Sequence, residues 1–164
     1  MNLTTIRPFG LATGLLVLTT LAACSSSKKD DPTPNPAGMS WTVDGTAVST
    51  TTLQSQKGST TISVAGTEIG NNTLFLALEI PNAVGTYPFG PTSAAAATYS
   101  TNTGSTPAVY YAGATGSGTV TGAGTILVTA LTTNNITGTF TFTGINANTG
   151  ASKSISSGTF NVGL

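Results

Sequence analysis

The sequence predicts an all-β domain, a single antiparallel meander of about 8–10 short strands that forms a barrel or a sandwich. From residue 39 onward, short runs of alternating apolar and polar residues recur, as in half-buried strands. Glycine and asparagine separate these runs. Charged residues make up only 6% of the chain. Threonine, serine and asparagine therefore supply most of its polarity, a composition typical of a β-rich extracytoplasmic domain.

The first predicted hairpin depends on a two-residue turn. Trp41 and Val43 alternate with polar residues, and Asp44-Gly45 follows them. This dipeptide favours a type I′ turn, because both central positions of that turn require positive φ. The returning strand is predicted over residues 46–52.

A later predicted hairpin has a register set by its apolar side chains. A loop centred on Asn71 would place Ile62 opposite Ile80 and Val64 opposite Leu78. That register sets apolar against apolar on one face, as a half-buried sheet requires.

The other breaks in the pattern also have simple interpretations. Pro88 suits an edge strand, because proline cannot donate to a sheet ladder. Asn134-Asn135 and the segment from Asn146 to Gly150 mark two hairpin turns. The run of four alanines at 94–97 favours helix but is too short to form one alone. Strands are predicted over residues 60–66, 74–80, 84–89, 98–100, 108–112, 118–121, 125–132, 136–143 and 154–162.

A Gly-Thr dipeptide or a close variant recurs through the domain. We interpret it as glycine at the starts of strands, because its spacing is too irregular for a structural repeat. The glycines concerned are Gly45, Gly66, Gly85, Gly118, Gly124, Gly138 and Gly158.

Residues 1–23 are predicted to be a signal peptide. Arg7 supplies positive charge, and the apolar run at 11–18 is shorter than the about 20 residues of a membrane-spanning helix. The run leads to Leu21-Ala22-Ala23-Cys24, which resembles the lipobox of bacterial lipoproteins. That resemblance implies cleavage before Cys24, the only cysteine, and fatty acylation there. Two or three acyl chains anchor a protein stably where one does not.

Residues 24–38 are predicted to be a lipid-anchored tether and residues 39–164 the folded domain. Prolines from Pro32 to Pro36 oppose regular pairing and keep the tether extended. The Lys-Lys-Asp-Asp cluster at 28–31 loosely resembles the acidic export signals of Bacteroidota surface lipoproteins. We therefore expect anchoring in the outer membrane with the domain on the cell surface, and the periplasmic face is the alternative.

Several pieces of the domain combine glycines with aromatic residues. They are Trp41 with Asp44-Gly45, then Gly85-Thr86-Tyr87, and two C-terminal segments from Ile136 to Phe142 and from Ile155 to Phe160. Together they look like an uncharacterised family of Bacteroidota lipoproteins. Such motifs specify a fold, and the resemblance implies no activity.

Residues suited to catalysis are scarce. The sequence has no histidine, and its one cysteine is assigned to lipid, so the usual Ser–His and Cys–His pairs lack their base. In the predicted register Glu79 lies opposite Ser63, about 16 Å from Glu68, at about 3.3 Å per residue. Paired glycosidase carboxylates lie closer, at about 5–10 Å. We expect no enzymatic activity, no catalytic residue and no cofactor.

The few charges also limit the ligands. No cluster of His, Cys, Asp and Glu could hold a metal ion. No basic patch could neutralise a phosphate backbone, so we expect no nucleic-acid partner. The charged residues of the domain are Asp44, Lys57, Glu68, Glu79 and Lys153.

Two functions fit these observations. The first is a structural or protein-interaction module of the cell envelope, joined to the membrane by its lipid. The second is a carbohydrate-binding module that stacks sugars on exposed tyrosines, a use for which aromatic rings on an open sheet are suited. The candidate ligand-binding residues are Tyr87, Tyr99 and Tyr110, with Tyr111 beside them.

Strand geometry constrains these aromatic residues. Tyr110 and Tyr111 are adjacent and must point to opposite faces, so at least one is expected in the core. Phe140 and Phe142 share a face and are expected in the core together with Trp41 and Phe160.

Overall fold

The computed structural model describes residues 36–68, 70, 73–102, 107–114 and 120–164. Within them the chain is antiparallel β-sheet without helix, which confirms the predicted fold class. The predicted signal peptide at 1–23, Cys24 and most of the tether lie outside the described residues. The described part holds no helix that could span a membrane.

Twelve strands are found in the described residues, more than the sequence predicts. The additional one of most consequence is β3, in a segment without clear alternation. In chain order the strands are β1 (Gly38–Val43), β2 (Thr46–Thr50), β3 (Leu53–Lys57), β4 (Thr61–Glu68), β5 (Thr73–Pro81), β6 (Gly85–Pro88), β7 (Ala96–Asn102), β8 (Ala108–Ala114), β9 (Val120–Thr121), β10 (Ala123–Leu131), β11 (Asn135–Ile145) and β12 (Ser152–Gly163).

The strands form a sheet that nearly closes into a barrel. Its order is β2-β1-β12-β11-β8-β7-β5-β4-β3, with β10 and β6 continuing from β11 and β9 attached to β8. The two ends, β2 and β3, are consecutive in sequence, with Thr51 and Thr52 between them. β2 pairs with β1 and β3 pairs with β4, so one bent stretch of chain joins both ends.

Hydrogen bonds hold this first corner. Thr50 Oγ1 donates to the carbonyl of Thr67 at 2.6 Å, and the Thr67 amide donates to the carbonyl of Thr52 at 3.0 Å. Ser55 Oγ donates to the carbonyl of Gly163 at 2.6 Å, which links β3 to the end of β12.

A second corner lies where β8 meets β11. These strands share one pairing, between Tyr111 and Ile145. β9 pairs with β8, and β10 pairs with β11. Gly122 joins β9 to β10 and has a φ of 65°. A Cβ on Gly122 would lie 2.2 Å from the carbonyl oxygen of Thr143, so the bend requires glycine.

The local predictions agree with the structure. Asp44 and Gly45 have φ values of 47° and 87°, as a type I′ turn requires. Ile62 pairs with Ile80, in the predicted register. Pro88 lies in β6, which among the described strands pairs only with β10, so the expected edge strand is confirmed.

Inward side chains form one apolar core. It contains Trp41, Phe140, Phe142 and Phe160, as expected. Trp41 is 1% exposed, and its Nε1 is a buried side-chain polar atom with no hydrogen-bond partner among the described residues. The alanine run at 94–97 favours helix by composition but leads into the sheet, and Ala96 and Ala97 are the first two residues of β7.

Candidate ligand-binding face

Two of the predicted ligand-binding tyrosines are core residues. Tyr99 and Tyr110 are 2% and 8% exposed, and their ring centroids lie 6.2 Å apart across the β7–β8 pair. A sugar on the outer surface cannot stack on either ring, which corrects the sequence-based expectation. Burial, followed by the nearby Asp44 carboxylate and Tyr110, raises the pKa of Tyr99 to about 12.

The other two tyrosines differ from each other. Tyr87 is half-buried on β6, and its hydroxyl donates to the carbonyl of Ala83 at 2.9 Å. It thereby braces the turn before its own strand. Tyr111 is 44% exposed on β8, which confirms that it and Tyr110 face opposite ways. Tyr111 is therefore the tyrosine most available to a ligand.

The outward side chains of β3, β4, β5, β7 and β8 form one continuous surface, here called the β3–β8 face. Antiparallel pairing aligns these side chains in rows across the strands, because alternate residues share a face. One row contains Gln54, Ala65, Ala77, Thr98 and Tyr111. The row on one side contains Gln56, Ser63, Glu79 and Ala96, and the row on the other contains Thr67, Phe75, Ser100 and Val109.

A groove runs along one part of this face. Two adjoining hollows, of about 290 and 240 Å³, share Gln56 and Ser63 in their lining. We call them together the β3–β5 groove. Ala65 and Ala77 line the first hollow, and their small side chains leave its floor low beside the half-buried ring of Phe75.

The polar groups of the groove come from three neighbouring strands. Gln54 and Gln56 are exposed on β3, and Glu79 is exposed on β5. Ser63 Oγ donates a hydrogen bond to Glu79 Oε1 from the middle strand. These two residues are cross-strand partners, as the predicted register requires. Among the described residues that line the groove, Glu79 is the one that is ionisable.

The opposite side of the barrel has a different chemistry. A row across β6, β10, β11, β12, β1 and β2 contains Thr86, Leu127, Thr139, Thr159, Ser40 and Ser49. We call this surface the hydroxyl face. The hydroxyls of Ser40 and Thr159 lie 2.8 Å apart and share a hydrogen bond.

The other hollows and ionic groups of the surface offer fewer groups that could bind a ligand. A hollow of about 470 Å³ lies beside Pro36 and Ser49, and the described residues that line it include no aromatic or ionisable side chain. Lys153 forms an ion pair with Asp44 at the end of the barrel, and both side chains are substantially exposed. The hydrogen bond to Asp44 raises the pKa of Lys153. The described residues contain no group of three or more His, Cys, Asp or Glu that could hold a metal ion.

These features define a class of protein: an antiparallel β-barrel domain with a polar groove on one outer face and a hydroxyl-rich surface on the other. The chain belongs to DUF6252, a family of domains of unknown function, whose profile matches residues 35–162. No curated protein and no solved structure matches it. The predicted resemblance to an uncharacterised family is therefore confirmed, as membership of a domain family of unknown function.

Proposed function

We propose that the protein is a lipid-anchored module of the bacterial outer membrane, and that its β-domain is a structural or protein-interaction element of the cell surface. The observation that carries the proposal is Leu21-Ala22-Ala23-Cys24 after a short apolar run, with the chain's only cysteine at the modified position. A proline-rich segment then leads to β1, which begins at Gly38.

The surface of the domain supports a role that depends on contact rather than catalysis. The row of the hydroxyl face contains no charged residue. A surface of this kind exerts little long-range attraction on ions or charged polymers. It is suited to a hydrated coat or to a short-range partner at the envelope.

The anchor is tested by the mass of the mature N-terminus and by metabolic labelling with a fatty-acid analogue. The expected product begins at Cys24 and carries a thioether-linked lipid. Cys24→Ser should abolish labelling and detach the protein from the membrane, whereas Ser25→Ala should leave both unchanged. An unmodified thiol at Cys24 in the mature protein would overturn the proposal.

Display on the surface is tested separately by protease treatment of intact cells. The domain should be released from cells that express the natural sequence. Replacing both Asp30 and Asp31 with alanine should leave the lipid in place and retain the domain on the periplasmic side. Full protection of the natural sequence would assign the protein to the periplasmic face instead.

A second candidate function is carbohydrate binding, which the sequence analysis assigned to exposed tyrosines. The specific observation that favours it is the β3–β8 face, where the exposed ring of Tyr111 and the half-buried ring of Phe75 lie on the same surface as the amides of Gln54 and Gln56. Retention on immobilised glycans that falls when Tyr111→Ala is introduced would support it. Absence of retention on any glycan counts against it.

A further inference from the structure

We infer that the β3–β5 groove is a binding site for a neutral carbohydrate, with Phe75 as the stacking surface and Glu79, Gln54 and Gln56 as partners for sugar hydroxyls. The inference rests on the second candidate function and is independent of the lipid anchor. The residues of this site are not among the tyrosines that the sequence analysis put forward as ligand-binding candidates.

One aromatic ring and three planar polar groups are arranged around the low floor of the groove. Phe75 and Glu79 both face outward from β5, four positions apart, which separates them by about 13 Å along the strand. Gln54 and Gln56 lie across the groove on β3, in the rows of Ala65 and Ser63. A ligand longer than one pyranose ring could therefore contact the ring at one end and the carboxylate at the other.

These groups match the chemistry of a sugar. A pyranose has a face of C–H groups, which packs on an aromatic ring, and an edge of hydroxyls that both donate and accept hydrogen bonds. Glutamine amides do both as well, and an ionised carboxylate accepts on two oxygens. Charge-assisted bonds to Glu79 would be the strongest in the site.

One of these polar groups, the Glu79 carboxylate, is already positioned. Ser63 donates to Glu79 Oε1 across the β4–β5 pair, so the carboxylate is held in place where it lines the groove. The four residues are carried by paired strands rather than by loops. Less ordering is then required when the ligand binds.

Other ligand classes fit the groove less well. No cationic side chain is among the described residues that line it, so a polyanion would meet the Glu79 carboxylate without a counter-charge from them. A stable protein interface buries about 800 Å² per partner around central apolar anchors. None of the large apolar side chains exposed among the described residues, Val84, Tyr111 and Leu127, lines the groove.

The test uses the full-length protein in detergent on an array of neutral and acidic glycans, followed by titration of the strongest neutral ligand. Phe75→Leu and Glu79→Gln should each weaken binding by about tenfold or more. Gln56→Ala should weaken it as well, and this side chain is exposed, so the variant tests the groove without disturbing the core. Leu127→Ala removes an exposed apolar group from the hydroxyl face and should leave affinity unchanged.

The results distinguish failure of the groove as the binding site from failure of carbohydrate binding as a function. If Tyr111→Ala abolishes binding while the three groove variants bind normally, the groove is not the site but carbohydrate binding stands. Binding to acidic glycans alone would overturn the inference. So would capture of a protein by a photoreactive cross-linking residue placed at position 56. Binding to no glycan would overturn the inference and the second candidate function together. Trp41 fluorescence, which reports unfolding, identifies any variant whose loss of binding is due to loss of folding.

Discussion

At the scale of single residues, inward glycines make room for the phenylalanines of the core. Each of three glycines lies directly across a strand pair from an inward phenylalanine, and the next residue is a threonine that faces outward. The pairs are Gly138 with Phe160, Gly158 with Phe140, and Gly124 with Phe142. The glycine of the dipeptide therefore makes space for packing at all three positions. Gly138 and Gly158 lie within β11 and β12, so the expectation that the dipeptide marks strand starts is wrong for them, whereas Gly124 is the second residue of β10, as expected.

Gly138→Ala should destabilise the protein by about 1–3 kcal/mol, the usual cost of overpacking. A Cβ there would lie 2.1 Å from the carbonyl oxygen of Leu127 and 2.5 Å from Cζ of Phe160. Urea unfolding followed by Trp41 fluorescence measures the change. Gly90→Ala is the matched control, because nothing lies within 4 Å of its added Cβ. Equal midpoints for the two variants would contradict this account.

The pKa of Tyr99 predicts a loss of stability in alkali. Burial raises that pKa from 10.0 to about 12 in the folded protein. The folded state then holds the proton more tightly than the unfolded chain, so the stabilising effect is fully present below pH 10 and disappears as pH rises to about 12. The loss should be about 2 kcal/mol.

The comparison of natural protein with Tyr99→Phe isolates this effect, because Lys153 and its ion pair with Asp44 are present in both. The free energy of unfolding, measured in urea from about pH 8 to about pH 12, should fall more steeply in the natural protein. Tyr111→Phe should behave like the natural protein. Parallel curves for natural protein and Tyr99→Phe would rule out a raised pKa.

At the scale of strands and turns, local chemistry decided some elements and pairing decided others. The Asp44-Gly45 turn and the β4–β5 register are predictable because the residues that define them are close in sequence. β3 was not predicted, because Leu53 is the only apolar side chain in its five residues. It is a strand since it pairs with β4. Two polar residues of the groove, Gln54 and Gln56, were missed for that reason.

The β11–β12 turn depends on one asparagine. Asn146 is 8% exposed, and its Oδ1 accepts hydrogen bonds from the amides of Asn148 and Thr149 at 3.0 and 3.1 Å. Asn146→Ala leaves both donors without this partner and should cost about 1–2 kcal/mol. Asn148→Ala, in the same turn but exposed, should cost much less. Thermal unfolding of the pair measures the difference, and similar losses would refute the role of the side chain.

Thr50 should control the corner at which the barrel closes. Its Oγ1 donates to the carbonyl of Thr67 and accepts from the amide of Thr52 at 2.9 Å. Thr50→Val keeps the shape and removes both bonds, at a cost of about 1–2 kcal/mol. Amide hydrogen exchange in β3 should become faster. Thr51→Val, at the exposed next residue, should leave exchange unchanged; faster exchange in both variants would assign the effect to the bend in general.

At the scale of the whole molecule, the nearly closed sheet surrounds one core. β1 pairs with β12, so the first and last strands of the domain are neighbours. Asn135 Nδ2 donates a hydrogen bond to Asn161 Oδ1 at 2.9 Å, and Asn161 Nδ2 donates to the carbonyl of Pro36 at 3.2 Å. The start of the domain is thereby held to its last hairpin.

A protein of residues 36–164 alone should fold and unfold in one cooperative step, because its core is continuous. Far-ultraviolet circular dichroism and Trp41 fluorescence should give the same midpoint in urea. Two separate transitions would contradict a single cooperative core. A much lower midpoint than that of the full chain would show that the first 35 residues contribute to the fold.

The sequence by itself determined the all-β class, the turn types and the pairing of neighbouring strands, because alternation and turn chemistry act over a few residues. It also carries Leu21-Ala22-Ala23-Cys24, whose resemblance to a lipobox is the basis of the proposed anchor. Tertiary structure decided which tyrosine faces solvent, how β2 and β3 close the barrel, and which side chains meet in the groove. These features depend on register between strands far apart in the chain, and a shift of one residue would turn every outward side chain inward.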